Sequence, residues 1–268
     1  MSNLVSIVTP IYNAELYLKE TIESVINQTF TNWELLLVDD CSSDNGVTVA
    51  KMFAERDSRI KVLLMPRNGG AAAARNMAIK NASGKYIAFL DSDDTWSKTK
   101  LAIQLDFMQK ENVSFCFSSY NVVNENGEFL KQIKVRNTIN YRGLLNGCSI
   151  GCLTVVYDVE RFGKLYFLDS ENTDTSVAPA ILKRWGKEDY VLWLTIARML
   201  HSTSDDVMAG VSLPLANYRK RTGGISSNKL NAAKYQWLVY RQIEKLNPLT
   251  SLYHFLCYFV HGLKKHFF

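Results

Sequence analysis

Short apolar runs alternate with helical-period segments through the first 110 residues. Leu4–Thr9 is a β-branched run closed by Pro10 and predicts a buried strand. Glu15–Gln28 places Leu18, Ile22, Val25 and Ile26 on one helical face. Trp33–Val38 predicts a second strand, which ends in Asp39-Asp40. A helix over Val47–Arg56 follows, with Asp44 as its candidate cap. Ile60–Met65, closed by Pro66, is the third strand and Gly69–Asn81 an alanine-rich helix. Tyr86–Leu90 is the fourth strand, ending in Asp91-Ser92-Asp93-Asp94, and Leu101–Lys110 the next helix. This order predicts an α/β fold with a mostly parallel central sheet flanked by helices.

The second half is less regular. Ser114–Val123 predicts a strand, Asn124–Gly127 a hairpin turn, and Cys152–Tyr157 and Val207–Leu213 two further strands. Residues 163–187 form a long connection without period, and Glu188–Leu200 is helical. Lys229–Leu246 and Leu249–Lys265 predict a helical tail. The expected division is residues 1–228 as the main domain, in two halves, 1–110 and 111–228, and 229–268 as a basic, aromatic tail.

Charge sharpens that division. Residues 215–268 hold nine Lys/Arg against one acid, Glu244, whereas residues 1–214 carry a net −3. Such asymmetry points to an anionic partner for the tail. Apolar Leu249, Leu252, Leu256, Phe259 or Val260 and Leu263 share one helical face, with His254, His261 and Lys265 on another. Tyr253, Phe255, Tyr258, Phe259, Phe267 and Phe268 add aromatic anchors, so the tail is expected to lie on an anionic membrane surface rather than on nucleic acid. The competing expectation is a terminal helix packed on the main domain or on a dimer partner. Five cysteines without a CxxC pair argue for a reducing compartment, and no targeting segment or spanning run is visible.

Ligands of open α/β sheets sit beyond the carboxyl ends of the strands. Thr9, Asp39-Asp40 and Asp91–Asp94 all fall there. Carboxylates two apart after a buried strand can hold Mg²⁺ or Mn²⁺ together with substrate phosphates; alone the pattern is a weak signal, and the alternative is a solvated acidic turn. Asp39-Asp40 reads either as a turn and cap or as an acceptor for a base or ribose. Asn68-Gly69-Gly70 lacks the GxGxxG pattern, which disfavours a dehydrogenase. Arg75 is equally an ion-pair residue or a phosphate contact. Glu188-Asp189 opens a helix and reads either as acids placed favourably at a helix N-terminus or as a general base, which the dipole would keep ionised at Asp189. Arg219, Lys220 and Arg221 precede Gly223-Gly-Ile-Ser-Ser227, either a solvated turn or a flap closing over a diphosphate.

Taken in order, Val8–Asn13, Gln28-Thr-Phe30, Trp33–Asp40, Asn68–Asn76, Gly84–Asp94 and Glu188-Asp189 resemble the family-2 inverting glycosyltransferases of GT-A fold. Glu188–Leu194 and Tyr218–Ser227 are most similar to the bacterial enzymes of teichuronic-acid, capsule and O-antigen assembly. The resemblance implies a metal-dependent hexosyltransferase moving one sugar from a nucleotide-sugar, a UDP-sugar by preference, to a lipid-linked saccharide. Thr9, Pro10 and Tyr12 would line the uracil pocket, Asp39 would bond the base and Asp91, beside Ser92, the ribose. Asn68, Arg75 and Arg219 would complete the donor site. Asp93 would hold Mn²⁺ or Mg²⁺, and Asp189 with Glu188 would form the basic centre. The Gln-x-x-Arg-Trp motif of processive members is absent from the sequence, so single addition is expected. The implied location is the cytoplasm, peripheral on the inner face of the cell membrane. The alternatives are a sugar nucleotidyltransferase, which would need a Gly- and Arg-rich loop after the first strand, and a noncatalytic nucleotide-binding scaffold subunit.

Overall fold

In the computed structural model, which describes residues 3–169, 186–201, 207–221 and 229–267, the alternating order of the first half is realised. β1 (Val5–Ile11), α1 (Glu15–Ile26), β2 (Trp33–Asp39), α2 (Gly46–Ala54), β3 (Ile60–Leu64), α3 (Ala71–Asn81) and β4 (Tyr86–Phe89) follow one another. β1 and β2 are buried along their whole length, as expected of strands covered on both faces. β5 (Thr95–Trp96), α4 (Lys100–Lys110), β6 (Phe115–Val123), β7 (Phe129–Ile133), β8 (Thr138–Ile139), α5 (Tyr141–Asn146), β9 (Val156–Asp158) and α6 (Val159–Phe162) come next. α7 (Glu188–His201), β10 (Met208–Arg219), α8 (Lys229–Leu238) and α9 (Pro248–Phe267) complete the described elements.

Among the described residues the strands form one mixed sheet with the path β3-β2-β1-β4-β9-β6-β10-β5. The half from β3 to β4 is parallel. β9 then enters antiparallel to both β4 and β6, and joins this half to the parallel β6–β10 pair. Apolar side chains are buried on both faces. Phe89, Phe115, Phe167 and Trp193 cluster under α7, while Leu18, Ile22 and Val25 of α1 close the opposite side.

The structure differs from the sequence reading at several boundaries. The strand expected over Cys152–Tyr157 begins as a 3₁₀ turn, Cys152–Thr154, and only Val156–Asp158 pairs with β4. β10 runs on to Arg219 instead of ending at Leu213, because bulges on either side of Pro214 absorb the missing amide donor and restore pairing. Asp44 stands one residue ahead of the N-cap position Asn45, and its side chain reaches the first amide of α2. Its carboxylate accepts from Gly46 N at 3.0 Å and from Glu15 N at 2.8 Å, joining the starts of α2 and α1. α8 gives way to a π-helical turn at Val239–Ile243, short of the expected Leu246.

The tail packs on the body. Tyr240 Oη donates to Leu145 O, Tyr141 Oη to Glu244 at 2.5 Å, and Arg198 pairs with Glu244 at 2.9 Å. His254 is buried, with Nδ1 2.7 Å from Asn146 Oδ1. The helical face of α9 expected to be basic is therefore, at His254, the covered one. Among the described residues no helix is long and apolar enough to cross a membrane.

Candidate active site

The parallel register brings the acidic strand ends together. Ile11 of β1 lies opposite Asp39 of β2, and Leu90 N donates to Val8 O, so Tyr12, Asp39 and Asp91 emerge at one edge. Thr9 and Pro10 are buried there, and Thr9 Oγ1 has no hydrogen-bond partner. Tyr12 is exposed.

The two aspartates after β2 divide their work. Among the described residues the Asp39 carboxylate accepts from Ser42 N alone, at 3.2 and 3.3 Å, leaving acceptor capacity for a ligand. Asp40 is buried and takes Gly69 N at 2.6 Å, Gly70 N at 2.8 Å and Asn68 Nδ2 at 3.0 Å. That carboxylate fixes the entry to α3, which starts at Ala71 after Gly70 adopts φ 87°, a conformation suited to glycine. Asn68 thus serves the turn through its side chain.

Arg75 of α3 is buried at the centre of the site. It donates to Asp91 Oδ1 at 2.6 Å and, more distantly, to Glu188 Oε1 at 3.4 Å. Burial opposes its charge, but Asp91, Cys152 and Glu188 outweigh that and raise its pKa above the ordinary value. Arg75 thus forms an ion-pair strut between the strand end of β4 and the N-terminus of α7.

Asp93 is half-buried, and its pKa is raised by burial and by the neighbouring Asp91. Arg221 Nη1 stands 3.3 Å from Asp93 Oδ2. Two carboxylates crowding one another at a strand end fit a hard divalent cation, which would relieve their repulsion and leave the remaining positions to diphosphate oxygens. Asp93, beside Asp91, could hold such an ion. Among the described residues no group of three or more His, Cys, Asp or Glu stands ready to bind a metal, so phosphate would have to supply part of the set. Asp94 is buried, accepts from Arg219 N at 2.8 Å and is pushed well up by burial and by Asp93 and Asp91. Ser92 contributes its carbonyl, which accepts from Thr21 Oγ1 at 3.0 Å.

Asp189 opens α7, held from beneath by Trp193 between Phe89 and Phe115 and by Tyr190 Oη on Leu144 O. Asp189 Oδ1 accepts from Tyr190 N at 2.7 Å. The helix start does not leave this acid at its usual strength. Its crowded setting and then Glu188 push its pKa up to about 6, against the pull of Arg75 and the Tyr190 amide. Desolvation outweighs the backbone contribution, which yields a better base that is still mostly ionised at neutral pH.

Arg219, given a donor-site role by the resemblance, is engaged within the protein. Its guanidinium donates to Asp93 O at 2.9 Å, Glu125 O at 2.9 Å and Glu20, and stacks over Tyr17. It is buried in a brace from α1 to β10. Lys220 and Arg221 lead on from it, and the Gly223–Ser227 segment expected to act as a flap lies outside the described residues. Sequence reading does not single out Glu20 and Tyr17; they are one turn apart on α1 and carry no motif. Asn76, quoted at the end of the Asn68–Asn76 motif but given no role there, ties α3 by its amide to Phe167 O at 2.8 Å and Asp169 at 2.6 Å.

With this geometry in view, the comparisons with known proteins are informative. Residues 6–158 match the family described as Glycosyl transferase family 2. An Escherichia coli protein named UDP-Glc:alpha-D-GlcNAc-diphosphoundecaprenol beta-1,3-glucosyltransferase WfgD is 42% identical over 270 residues, covering 99% of this chain and 96% of its own. A Bacillus subtilis (strain 168) protein, provisionally named teichuronic acid biosynthesis glycosyltransferase TuaG, is 38% identical over 263 residues, covering 98% and 97%. The crystal structure of S. aureus TarS 1-349 with UDP-GlcNAc superposes with a TM-score of 0.67 over 88% of this chain and 67% of that one, at 21% identity. The Pyrobaculum calidifontis mannosyltransferase PcManGT, solved with GDP-Man and Mn²⁺, gives 0.58 over 88% and 62%, at 18% identity. The structural likenesses bear out the GT-A-like fold. With its acidic strand ends braced by Arg75 against Glu188, the chain belongs to glycosyl transferase family 2.

Proposed function

We propose that this chain is an inverting, metal-dependent hexosyltransferase that adds one sugar, glucose in the first instance, from a UDP-sugar to a lipid-linked saccharide in bacterial surface polysaccharide synthesis. The donor and acceptor classes come from the relative named for UDP-Glc and a diphosphoundecaprenol-linked GlcNAc, which matches nearly the whole chain. What carries the reading in this molecule is the Arg75 bridge. It ties Asp91 at the donor edge to Glu188, next to Asp189, so one rigid unit spans the leaving-group and nucleophile sides of a transfer.

In this reading Tyr12, Thr9 and Pro10 form the base pocket and Asp39 accepts from the base edge. Asp91 accepts from a ribose hydroxyl. When bound at Asp93, Mn²⁺ or Mg²⁺ supplies charge neutralisation for the diphosphate. The acceptor hydroxyl loses its proton to Asp189, whose Oδ2 is not engaged by the Tyr190 amide. Its oxygen bonds to the anomeric carbon as the bond to the diphosphate oxygen breaks, and the configuration inverts. Asp189 holds the proton afterwards, as its raised pKa permits. The cytoplasmic face of the membrane, where a lipid-linked acceptor would be presented, is the proposed place of action.

A donor panel tested by thermal shift with Mn²⁺, followed by transfer to a synthetic lipid-linked GlcNAc and NMR of the product anomer, tests this. UDP-glucose should stabilise and transfer with inversion. A retained anomer, or a product containing a nucleotide diphosphate-sugar bond, would overturn the proposal.

A further inference from the structure

α9 turns an apolar face to solvent. Leu249, Leu252, Tyr253, Leu256, Phe259 and Val260 are between 49% and 81% exposed. At 3.6 residues per turn they fall within about a third of the helix circumference. The opposite arc is the covered one. Ser251 and His254 are buried, Phe255 packs edge-on against Trp237 at 5.5 Å, and the Tyr258 ring lies 5.3 Å from Lys187 Nζ. A docked helix ordinarily turns its apolar stripe inward. This one is anchored by its more polar arc and shows a continuous apolar stripe to solvent, an arrangement that marks an interaction surface.

We infer that the outer stripe of α9 is a docking surface for an anionic lipid bilayer, and that the whole catalytic body rides on it. This rests on the proposed lipid-linked acceptor for its purpose but not for its physics. Three observations select lipid over a protein partner. First, from Lys245 onward the sequence contains three lysines and no acidic residue, so the net charge of this stretch complements an anionic headgroup layer. Second, the stripe mixes leucines with Tyr253 and Phe259, side chains that settle at the level where acyl chains meet headgroups. Third, the stripe is the outer surface of a single helix, convex and one helix wide. A planar hydrocarbon boundary accepts such a shape.

The full-length protein is mixed with vesicles of phosphatidylcholine alone, or with about a third phosphatidylglycerol, and floated on a density gradient at low and high salt. The wild type should float with the anionic vesicles, less at high salt and much less with neutral ones. A triple variant, L252S/L256S/F259S, should partition at least about a hundredfold less, since it removes three apolar side chains that insert. These positions are exposed, so its melting temperature and UDP binding should match the wild type. The inference is overturned if the wild type stays unbound, or if wild type and variant float alike. It is also overturned if light scattering shows a wild-type dimer that the triple variant converts to a monomer, for then a second copy covers the stripe. Flotation needs no turnover. A failure of the proposed chemistry would instead appear as a floating protein that does not glycosylate a detergent-dispersed acceptor.

Discussion

Replacing Asp189 with Asn keeps the side chain's shape and its contact with the Tyr190 amide region but removes the only group proposed to take the acceptor proton. General-base catalysis is worth roughly 10²–10⁴-fold, so transfer should fall by that factor while UDP binding holds. The structure adds a sharper, pH-resolved form of the same test. With the Asp189 pKa near 6, about nine-tenths of the enzyme carries an ionised base at pH 7 and about one-tenth at pH 5. kcat/KM of the wild type should therefore drop about tenfold between those values, with unit slope below pH 6 on a log scale. Glu188 is, after burial, the next contributor raising that pKa. Glu188→Gln should shift the acid limb to lower pH, an effect that a merely structural loss would not produce. The assay is UDP release against lipid-linked acceptor from pH 4.8 to 8, with UDP affinity by calorimetry as the control. Transfer by Asp189→Asn within twofold of wild type, or an acid limb unmoved by Glu188→Gln, would refute the assignment.

Asp39→Ala should weaken UDP binding equally in Mn²⁺ and in EDTA, whereas Asp93→Ala should weaken it mainly in Mn²⁺; titration calorimetry under both conditions separates them, and identical behaviour would contradict the division of labour. Asp40→Asn puts an amide against three donors and should cost about 2 kcal/mol of stability by urea unfolding, an unchanged midpoint being the refuting result. Lys100 is fully buried, its Nζ without a hydrogen-bond partner and 4.1 Å from the Trp96 ring centre, and burial pulls its pKa down to about 7. Between that value and its unfolded pKa near 10.4 the unfolded chain binds the extra proton, so this residue's contribution becomes less unfavourable as pH rises. Lys100→Met should stabilise the protein at pH 7, and its advantage should shrink by about 2 kcal/mol by pH 9; urea midpoints at the two pH values decide, and a constant difference would refute it.

Much of the first half is legible along the chain because its signals are local. A β-branched run closed by a proline, an amphipathic period and an acidic strand end each need only a few neighbouring residues, and β1 to β4 with α1 to α3 appear where those signals fall. The acidic ends gather at one edge because parallel strands all point the same way. The pairs that give the edge its character lie beyond any local window. Arg75 and Glu188 are 113 positions apart, and Arg219 and Glu20 are 199 apart. No periodicity encodes them, and Arg219 reads the same in sequence whether it faces a diphosphate or is consumed by a brace. The strength of Asp189 was likewise not written in its place at a helix start, because desolvation depends on what packs over it. α9 draws the boundary most sharply. Its amphipathic spacing follows from sequence alone, but which arc is covered depends on Asn146, Trp237 and Lys187 meeting it in space. Periodicity fixes the angle between side chains on a helix; only the packed body fixes which way the helix faces.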